Sequence, residues 1–209
     1  MKLSSLALKH MESIHPSHAF GKIDPVSNIA LSNNINPDFS WSDAPEGTRS
    51  FVMICVDVDV PSKGDDVNQT DREIPADLPR VPFYHWTLID IPATAKSIEA
   101  GAYSKEITPK GKAGPSTHNE TRQGINNYTD WFANDHDMAG QYFGYDGPCP
   151  PFNDSIVHHY HFTLYALDID RVPVDGVFRA EDVLAAIEPH ILAQDTIIGT
   201  YTLNPRLSA

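Results

Sequence analysis

GYDGPCPPFNDSIVHHYHF, residues 144–162, joins a rigid loop directly to a predicted strand. Three prolines and two glycines in its first half fix φ, remove N–H donors and permit backbone conformations that other residues avoid. From Ile156 onward apolar and aromatic residues recur at period two, which predicts the strand. One face of this strand carries His158, Tyr160, Phe162, Leu164 and Ala166. We therefore expect a polar pocket rim joined to a hydrophobic core, although an isolated strand histidine is more often a hydrogen-bonded structural residue.

Two further strands are predicted upstream of that loop. Residues 49–60, RSFVMICVDVDV, are rich in β-branched residues and almost continuously apolar, which is typical of a central strand. Alternation places Asp57 and Asp59 on one face at the end of this strand. Residues 83–91, FYHWTLIDI, form the second strand and carry His85. Two carboxylates at a strand end either belong to a functional site at the edge of the sheet or are end residues exposed to water. The sequence of this strand alone does not distinguish the two interpretations.

The rest of the chain is consistent with one mainly β domain. Residues 1–20 lack periodicity and form a predicted N-terminal arm, either weakly ordered or docked, while residues 21–209 form the domain itself. Residues 62–81 are polar and interrupted by proline, so we predict a long loop that is functional or structured by its surroundings. Apolar spacing predicts a helix over 181–194, kinked or divided by a proline, before a last strand at 196–203. Together these features predict a predominantly antiparallel β fold with minor α structure.

Composition and charge argue against several classes of function. A formal charge of −13 and the absence of any basic run argue against a nucleic-acid binder and against anionic membrane surfaces. No apolar run reaches the roughly 18 residues of a bilayer span, and no signal peptide is recognised, so we predict a cytoplasmic protein. The two cysteines are too few for a disulfide framework and match no zinc spacing. We expect Cys55 in the core. We expect Cys149 in the proline loop, which we define as residues 148–151.

Three motifs, taken in order, resemble the phosphatidylethanolamine-binding protein (PEBP) family, which includes the Raf kinase inhibitor proteins and the plant flowering regulators. DVDVP at 57–61 resembles the family's Asp-x-Asp-x-Pro, and a His-Trp pair follows at 85–86. The third motif is GYDGPCPP at 144–151 followed by HHY at 158–160, which resembles the family's Gly-Pro-x-Pro-Pro and His-x-Tyr elements. Order and approximate spacing agree over residues 39–204, and the motifs look more like the bacterial and archaeal branch than the animal one.

The resemblance implies a β-sandwich with a large antiparallel central sheet, a smaller sheet and C-terminal helices. It also implies a small anion pocket at one end, with no bound metal and no cofactor. The predicted ligand-binding residues, which would surround that pocket, are Asp57, Asp59, His85, Pro148, Cys149, Pro150, His158 and Tyr160. Imidazoles and an outward-facing N–H of the loop, for example that of Cys149, would donate hydrogen bonds to phosphate-type oxygens.

The chain departs from the family pattern at four places, the first of which is Val58, where many members have proline. His159 stands where arginine is usual, Phe152-Asn153-Asp154 where a glycine commonly follows the prolines, and residues 62–81 are an insertion that is acidic in its first part. The missing arginine removes a fixed cation and its fork geometry. Phe152 and the insertion would narrow or cover the mouth of the pocket, so the binding of a long-chain lipid does not follow from the resemblance.

We predict a non-catalytic binding or regulatory protein whose anion pocket takes phosphate-type or phospholipid head groups such as phosphoethanolamine. The resemblance also permits a kinase or protease as a protein partner, and a homodimer as the assembly. The alternative is a metal-dependent hydrolase that binds zinc or non-haem iron through Asp57, Asp59, His85 and His158. No HExxH, Gly-x-Ser-x-Gly, GxGxxG or P-loop motif supports an enzyme of those kinds.

Overall fold

The computed structural model describes residues 1–208, and its fold is mainly β, as predicted. The strands in chain order are β1 (Lys2–Ser4), β2 (Gly21–Asp24), β3 (Asn28–Leu31), β4 (Phe39–Ser42), β5 (Ser50–Pro61), β6 (Arg80–Pro92), β7 (Ser97–Ile98), β8 (Gly111–Lys112), β9 (Arg122–Gln123), β10 (Gln141–Tyr142), β11 (His158–Leu167) and β12 (Ile191–Tyr201). The α-helices are α1 (Tyr128–Trp131) and α2 (Ala180–Ile187), and 3-10 turns cover Pro16–His18, His118–Glu120 and Glu188–His190. Within the described residues, no helix is long and apolar enough to cross a bilayer.

The large sheet contains five antiparallel strands in the order β12-β11-β5-β6-β9. β5 lies at its centre, and its nearly continuous apolar run is buried on both faces of the sheet. A smaller sheet has the order β1-β4-β7. Two-stranded pairs, β2 with β3 and β8 with β10, complete the architecture. The central position predicted for residues 49–60 is therefore confirmed.

Both faces of the large sheet are covered. On one face, Phe51 and Met53 of β5 belong to the main core, which includes Trp41 of β4 in the small sheet. On the other face, Val52 of β5 belongs to a second core, which includes Val183 of α2. The small sheet, the large sheet and the helix thus form three layers, which agrees with the predicted sandwich and its C-terminal helical element.

The helix predicted over 181–194 is shorter than expected. α2 ends at Ile187, a 3-10 turn contains Pro189, and β12 already begins at Ile191. Proline lacks the N–H that would continue the helix. The chain beyond it pairs with β11, starting where Ile191 lies opposite Leu167, so strand pairing overrides the helical spacing of the apolar residues. The last strand consequently starts well before the predicted residue 196.

Residues 1–20 are docked on the rest of the fold. β1 pairs with β4 in the small sheet, and Ile14 is buried in the main core. The N–H groups of Phe20 and Gly21 both donate to the carbonyl of Pro148, at 2.9 and 3.1 Å. This contact ties the N-terminal segment to the proline loop and places Phe20 beside it.

Candidate functional site

A cavity of about 320 Å³ lies at the edge of the large sheet where β5 ends and where β6 and β11 begin. These strands are antiparallel neighbours, so the C-terminal end of β5 meets the N-terminal ends of the other two at one edge. The predicted ligand-binding residues that line this cavity are Asp57, His85, Cys149, Pro150, His158 and Tyr160. Asp59 and Pro148 do not line it.

Asp57 is almost fully buried in the wall of the cavity, and two donors hold its carboxylate. Its Oδ1 accepts the backbone N–H of Asp59 at 2.8 Å, and its Oδ2 lies 2.7 Å from Nδ1 of His158. Each carboxylate oxygen has a further lone pair. Asp57 can therefore still accept a hydrogen bond from a ligand.

His158 lies between two carboxylates and is fully buried. Its Nδ1 contacts Asp57, and its Nε2 lies 3.1 Å from Oδ2 of Asp154. Burial opposes a charge on the ring, but the two carboxylates outweigh it and raise the pKa of His158 to about 9. The ring is therefore an imidazolium at neutral pH, and both of its N–H groups are already donated. His158 supplies positive charge to the cavity but no free donor, which differs from its predicted contact with a ligand.

Arg80 extends this pairing into a run of four charged side chains. Its Nη1 and Nη2 lie 2.6 and 3.1 Å from the two carboxylate oxygens of Asp154, and both side chains are largely buried. Burial would raise the pKa of Asp154, but His158 and Arg80 together lower it. We call Arg80, Asp154, His158 and Asp57 the charge chain. Its charges alternate in sign and cancel when His158 is protonated.

His85 is the imidazole with a free nitrogen. It is buried, and its Nδ1 lies 2.7 Å from the carbonyl oxygen of Asp146. A carbonyl only accepts, so Nδ1 carries the proton and the neutral ring leaves Nε2 unprotonated. Burial lowers the pKa of His85, although the charge of Asp57 opposes this effect. Within residues 1–208, Nε2 has no hydrogen-bond partner.

A second buried polar cluster holds the residue that orients His85. The carboxylate of Asp146 accepts hydrogen bonds from Asn34 at 2.7 Å and Asn126 at 2.8 Å, and it pairs with Lys112 at 3.0 Å. Burial lowers the pKa of Lys112, and Asp146 opposes that effect. Because three side chains hold Asp146, the position of its carbonyl, and with it the tautomer of His85, is determined by the fold.

Tyr160 supplies another unpartnered polar atom. Its side chain is fully buried, and its hydroxyl makes no hydrogen bond of normal length and angle to any of the described residues, although the carboxylate of Asp57 lies close by. Burial and then the charge of Asp57 raise the pKa of Tyr160 well above its usual value, so the hydroxyl keeps its proton and can donate. Its ring lies edge-on to His85, with 5.2 Å between the ring centroids. A buried hydroxyl without a partner costs free energy unless water or a ligand satisfies it.

The proline loop contributes apolar surface to the cavity wall. Cys149 and Pro150 line the cavity, whereas the carbonyl of Pro148 binds the N-terminal segment. Burial raises the pKa of the Cys149 thiol to about 12, so the thiol is neutral at physiological pH and is not an activated nucleophile. The two cysteines are both free, and Cys55 is in the core as predicted.

Asp59 does not share a face with Asp57, contrary to the alternation expected along β5. The register between β5 and β6 shifts between Asp57 and Val60, and a bulge of this kind turns the following side chains. Oδ2 of Asp59 instead accepts the backbone N–H of His159 at 2.8 Å and pairs with Nδ1 of the same residue at 2.8 Å. The period-two rule therefore fails at this strand end.

The loop between β5 and β6 forms one wall of the cavity, through residues that include Val67 and Asn68. Asn153 holds this loop in place. Its Oδ1 accepts the N–H of Asn68 at 2.9 Å, and its Nδ2 donates to two further loop carbonyls at 2.8 and 3.0 Å. The side chain of Asn68 in turn accepts the N–H of Phe152 at 3.1 Å. Residues 62–81 and residues 152–154 both depart from the family pattern, and the structure shows that these two segments are hydrogen-bonded to each other.

We expect Asn153→Ala to loosen this loop without unfolding the protein. The substitution removes three hydrogen bonds and leaves partly buried loop groups unpaired, which should cost ~1–3 kcal/mol of local stability. Hydrogen exchange at the Asn68 amide and limited proteolysis within residues 62–79 would measure the change. Asn33→Ala, at an exposed asparagine, is the matched control. Unchanged exchange at Asn68 would show that Asn153 does not hold the loop.

Three important residues were missed from the sequence: Arg80, Asp154 and Asp146. Asp154 and Asp146 both lie in the stretch 144–162, and an acidic residue beside a rigid loop and a histidine is a weak signal for an ion pair. Arg80 carries no local signal, because it lies 74 positions from the carboxylate that it binds.

The geometry does not favour the hydrolase alternative. Of the four side chains proposed as metal ligands, Asp59 pairs elsewhere and both nitrogens of His158 contact carboxylates. His85 offers only Nε2. Over residues 1–208, no group of three or more His, Cys, Asp or Glu side chains is arranged to hold a metal ion.

The chain is similar in sequence to a known protein family over most of its length. Residues 5–202 match the model of a family described as phosphatidylethanolamine-binding protein. A UPF0098 protein of Methanothermobacter thermautotrophicus is 33% identical over 190 residues, which cover 88% of this chain and 95% of the relative. The UPF0098 protein YbhB of Escherichia coli K12 is 28% identical over 202 residues, which cover 97% and 100%.

A solved structure extends the likeness to the fold. The crystal structure of Escherichia coli YbcL, described as a new member of the mammalian PEBP family, is 26% identical to this chain. The match covers 96% of this chain and 97% of YbcL, with a TM-score of 0.68. The similarity therefore spans nearly the whole chain in both sequence and structure.

Proposed function

The chain belongs to the phosphatidylethanolamine-binding protein family, and from that premise we propose that its cavity is a non-catalytic binding site for small phosphate-type anions. The observation that carries this proposal is that two polar atoms on this cavity, the hydroxyl of Tyr160 and Nε2 of His85, make no hydrogen bond to another described residue. Both residues line one cavity. The hydroxyl of Tyr160 is buried, and buried polar groups are nearly always hydrogen-bonded, so a ligand that accepts from this hydroxyl and also pairs with Nε2 of His85 would remove the cost of leaving it unpaired.

His85 makes the site suitable for an anion by accepting a proton. In its neutral form, Nε2 presents a lone pair and cannot donate to an oxyanion. When the ring takes up a proton, Nε2 becomes a charged donor while Nδ1 stays on the carbonyl of Asp146. A charge-assisted hydrogen bond of this kind is about twice as strong as a neutral one. Binding of the anion and protonation of His85 are therefore coupled.

Asp57 selects among anions. An ionised carboxylate repels a dianion that has no proton, but it can accept a hydrogen bond from the P–OH of a monoanion or from the ammonium of phosphoethanolamine. The hydroxyl of Tyr160 donates to a second oxygen of the same group. The site therefore favours a monoanionic or zwitterionic phosphate group over a bare dianion.

We expect the affinity for inorganic phosphate to rise as the pH falls. Burial lowers the pKa of His85 in the free protein, and a bound anion beside Nε2 would raise it, so binding takes up a proton. Affinity should increase by up to about tenfold per pH unit between the two pKa values and level off below the lower one. Isothermal titration calorimetry in buffers of different ionisation enthalpy measures both the affinity and the proton uptake. His85→Gln, which keeps a polar group without titration, should retain only the slope due to phosphate itself.

Histidine ring NMR tests the site directly. During titration with phosphate, phosphoethanolamine and acetate, we expect the largest shift at His85 and a smaller one at His158. His118 and His136, which are exposed and outside the cavity, serve as internal controls. Silence at both His85 and His158 would overturn the proposed function.

A further inference from the structure

We propose that the ligand of this cavity is a soluble phosphomonoester that carries a flat apolar group, for example an aryl phosphate. The inference rests on the proposed function, because the phosphate must first be held by Asp57, His85 and Tyr160. The apolar group would lie against an aromatic wall. We define the aromatic wall as five side chains that line the same cavity: Phe20, Phe83, Tyr128, Trp131 and Phe132.

The aromatic wall is preformed and joins the polar end of the cavity. Phe20 stacks on Tyr128 with 4.7 Å between ring centroids, and Tyr128 stacks on Phe132 at 5.4 Å. Phe83 meets Tyr128 edge-on at 5.3 Å and lies 4.9 Å from the ring of His85. Because these rings already hold each other, a flat group could bind to them with little loss of side-chain freedom.

Trp131 is the member of the wall that a ligand would cover. It is 53% exposed, whereas Trp41 and Trp86 are buried. Within residues 1–208 it stacks on no other aromatic ring, although it lines the cavity. A large aromatic surface left in water at the edge of a polar site favours a ligand that is apolar next to its anionic group.

Size and charge favour a soluble ligand over a membrane lipid. A cavity of about 320 Å³ is at the small end of the range for ligand pockets, so it suits a phosphate and one ring better than a diacyl lipid. The net charge of −13 would be repelled by an anionic bilayer surface. The loop held by Asn153 also closes one side of the cavity.

Calorimetric titration with methyl phosphate and phenyl phosphate tests the inference. We expect wild type to bind phenyl phosphate about tenfold more tightly than methyl phosphate, because only the former reaches the aromatic wall. Trp131→Ala should reduce that ratio to about twofold by weakening the binding of phenyl phosphate more than that of methyl phosphate, and Trp131→Phe should restore part of the ratio. Val177→Ala, at an exposed apolar residue outside the cavity, should behave as wild type. Phenyl phosphate should also change the tryptophan fluorescence of wild type.

The outcomes separate this inference from the proposed function. Equal affinity for the two esters in wild type would overturn the aromatic contact and leave the anion site standing, whereas failure of both to bind would overturn both proposals. A ratio unchanged in Trp131→Ala would also contradict the inference. Vesicles of phosphatidylethanolamine and phosphatidylcholine distinguish the two sources of phosphate. We expect no co-flotation, and co-flotation that phenyl phosphate competes away would identify a membrane lipid instead.

Discussion

Asp154→Ala is expected to lower the free energy of unfolding by ~3–5 kcal/mol, because it leaves two buried cations without their shared counter-charge. Arg80 loses both of its carboxylate contacts, and His158 loses the partner of its Nε2. The pKa of His158 should also fall, since one of the two carboxylates that raise it is gone. Urea denaturation near neutral pH measures the stability, and ring NMR follows the titration of His158.

Asp170→Ala is the matched control for this prediction. Asp170 also pairs with an arginine, Arg49, but both side chains are more than half exposed. A surface ion pair of this kind contributes only ~0–1 kcal/mol. If the two substitutions lower the free energy of unfolding equally, the buried charge chain contributes no more to stability than an exposed ion pair does.

Stability is expected to fall as the pH rises from about 6.5 to beyond 9, and His158 is the cause. Its pKa lies near 6.5 in the unfolded chain and at about 9 in the fold, so the folded state binds the proton more tightly. The contribution is therefore complete below the unfolded value and is lost as the pH passes through the folded one. A shift of this size corresponds to up to about 3 kcal/mol. Urea denaturation across this pH range measures it.

The variant His158→Gln isolates this contribution. It removes the titrating ring, so the difference between wild type and variant should shrink as the pH rises, while other groups affect both proteins alike. Where the variant is too unstable to analyse, the ring NMR titration of wild type gives the same answer. A pKa for His158 near or below its ordinary value of about 6.5 would contradict the paired imidazolium.

The sequence by itself determined the main strands of the large sheet and the edge at which the candidate site lies. Apolar runs and period-two alternation identify β5, β6 and β11, because they are local signals of burial and backbone geometry. Once those strands are antiparallel neighbours, Asp57, His85 and His158 must lie near one edge, and the proline loop beside them is rigid for reasons internal to proline. Family motifs at the same positions strengthened this expectation.

Only the tertiary structure decided which partners those residues have. Periodicity cannot show that Arg80 reaches Asp154, that Asn153 holds the inserted loop, or that Trp131 lines the same cavity as His85, because these arrangements join distant parts of the chain. A bulge in β5 turned Asp59 away. Pairing with β11 converted the end of a predicted helix into a strand. The physical reason is common to all of them: local sequence reports which groups are buried, whereas the requirement that buried charges and polar atoms find partners is met by long-range packing.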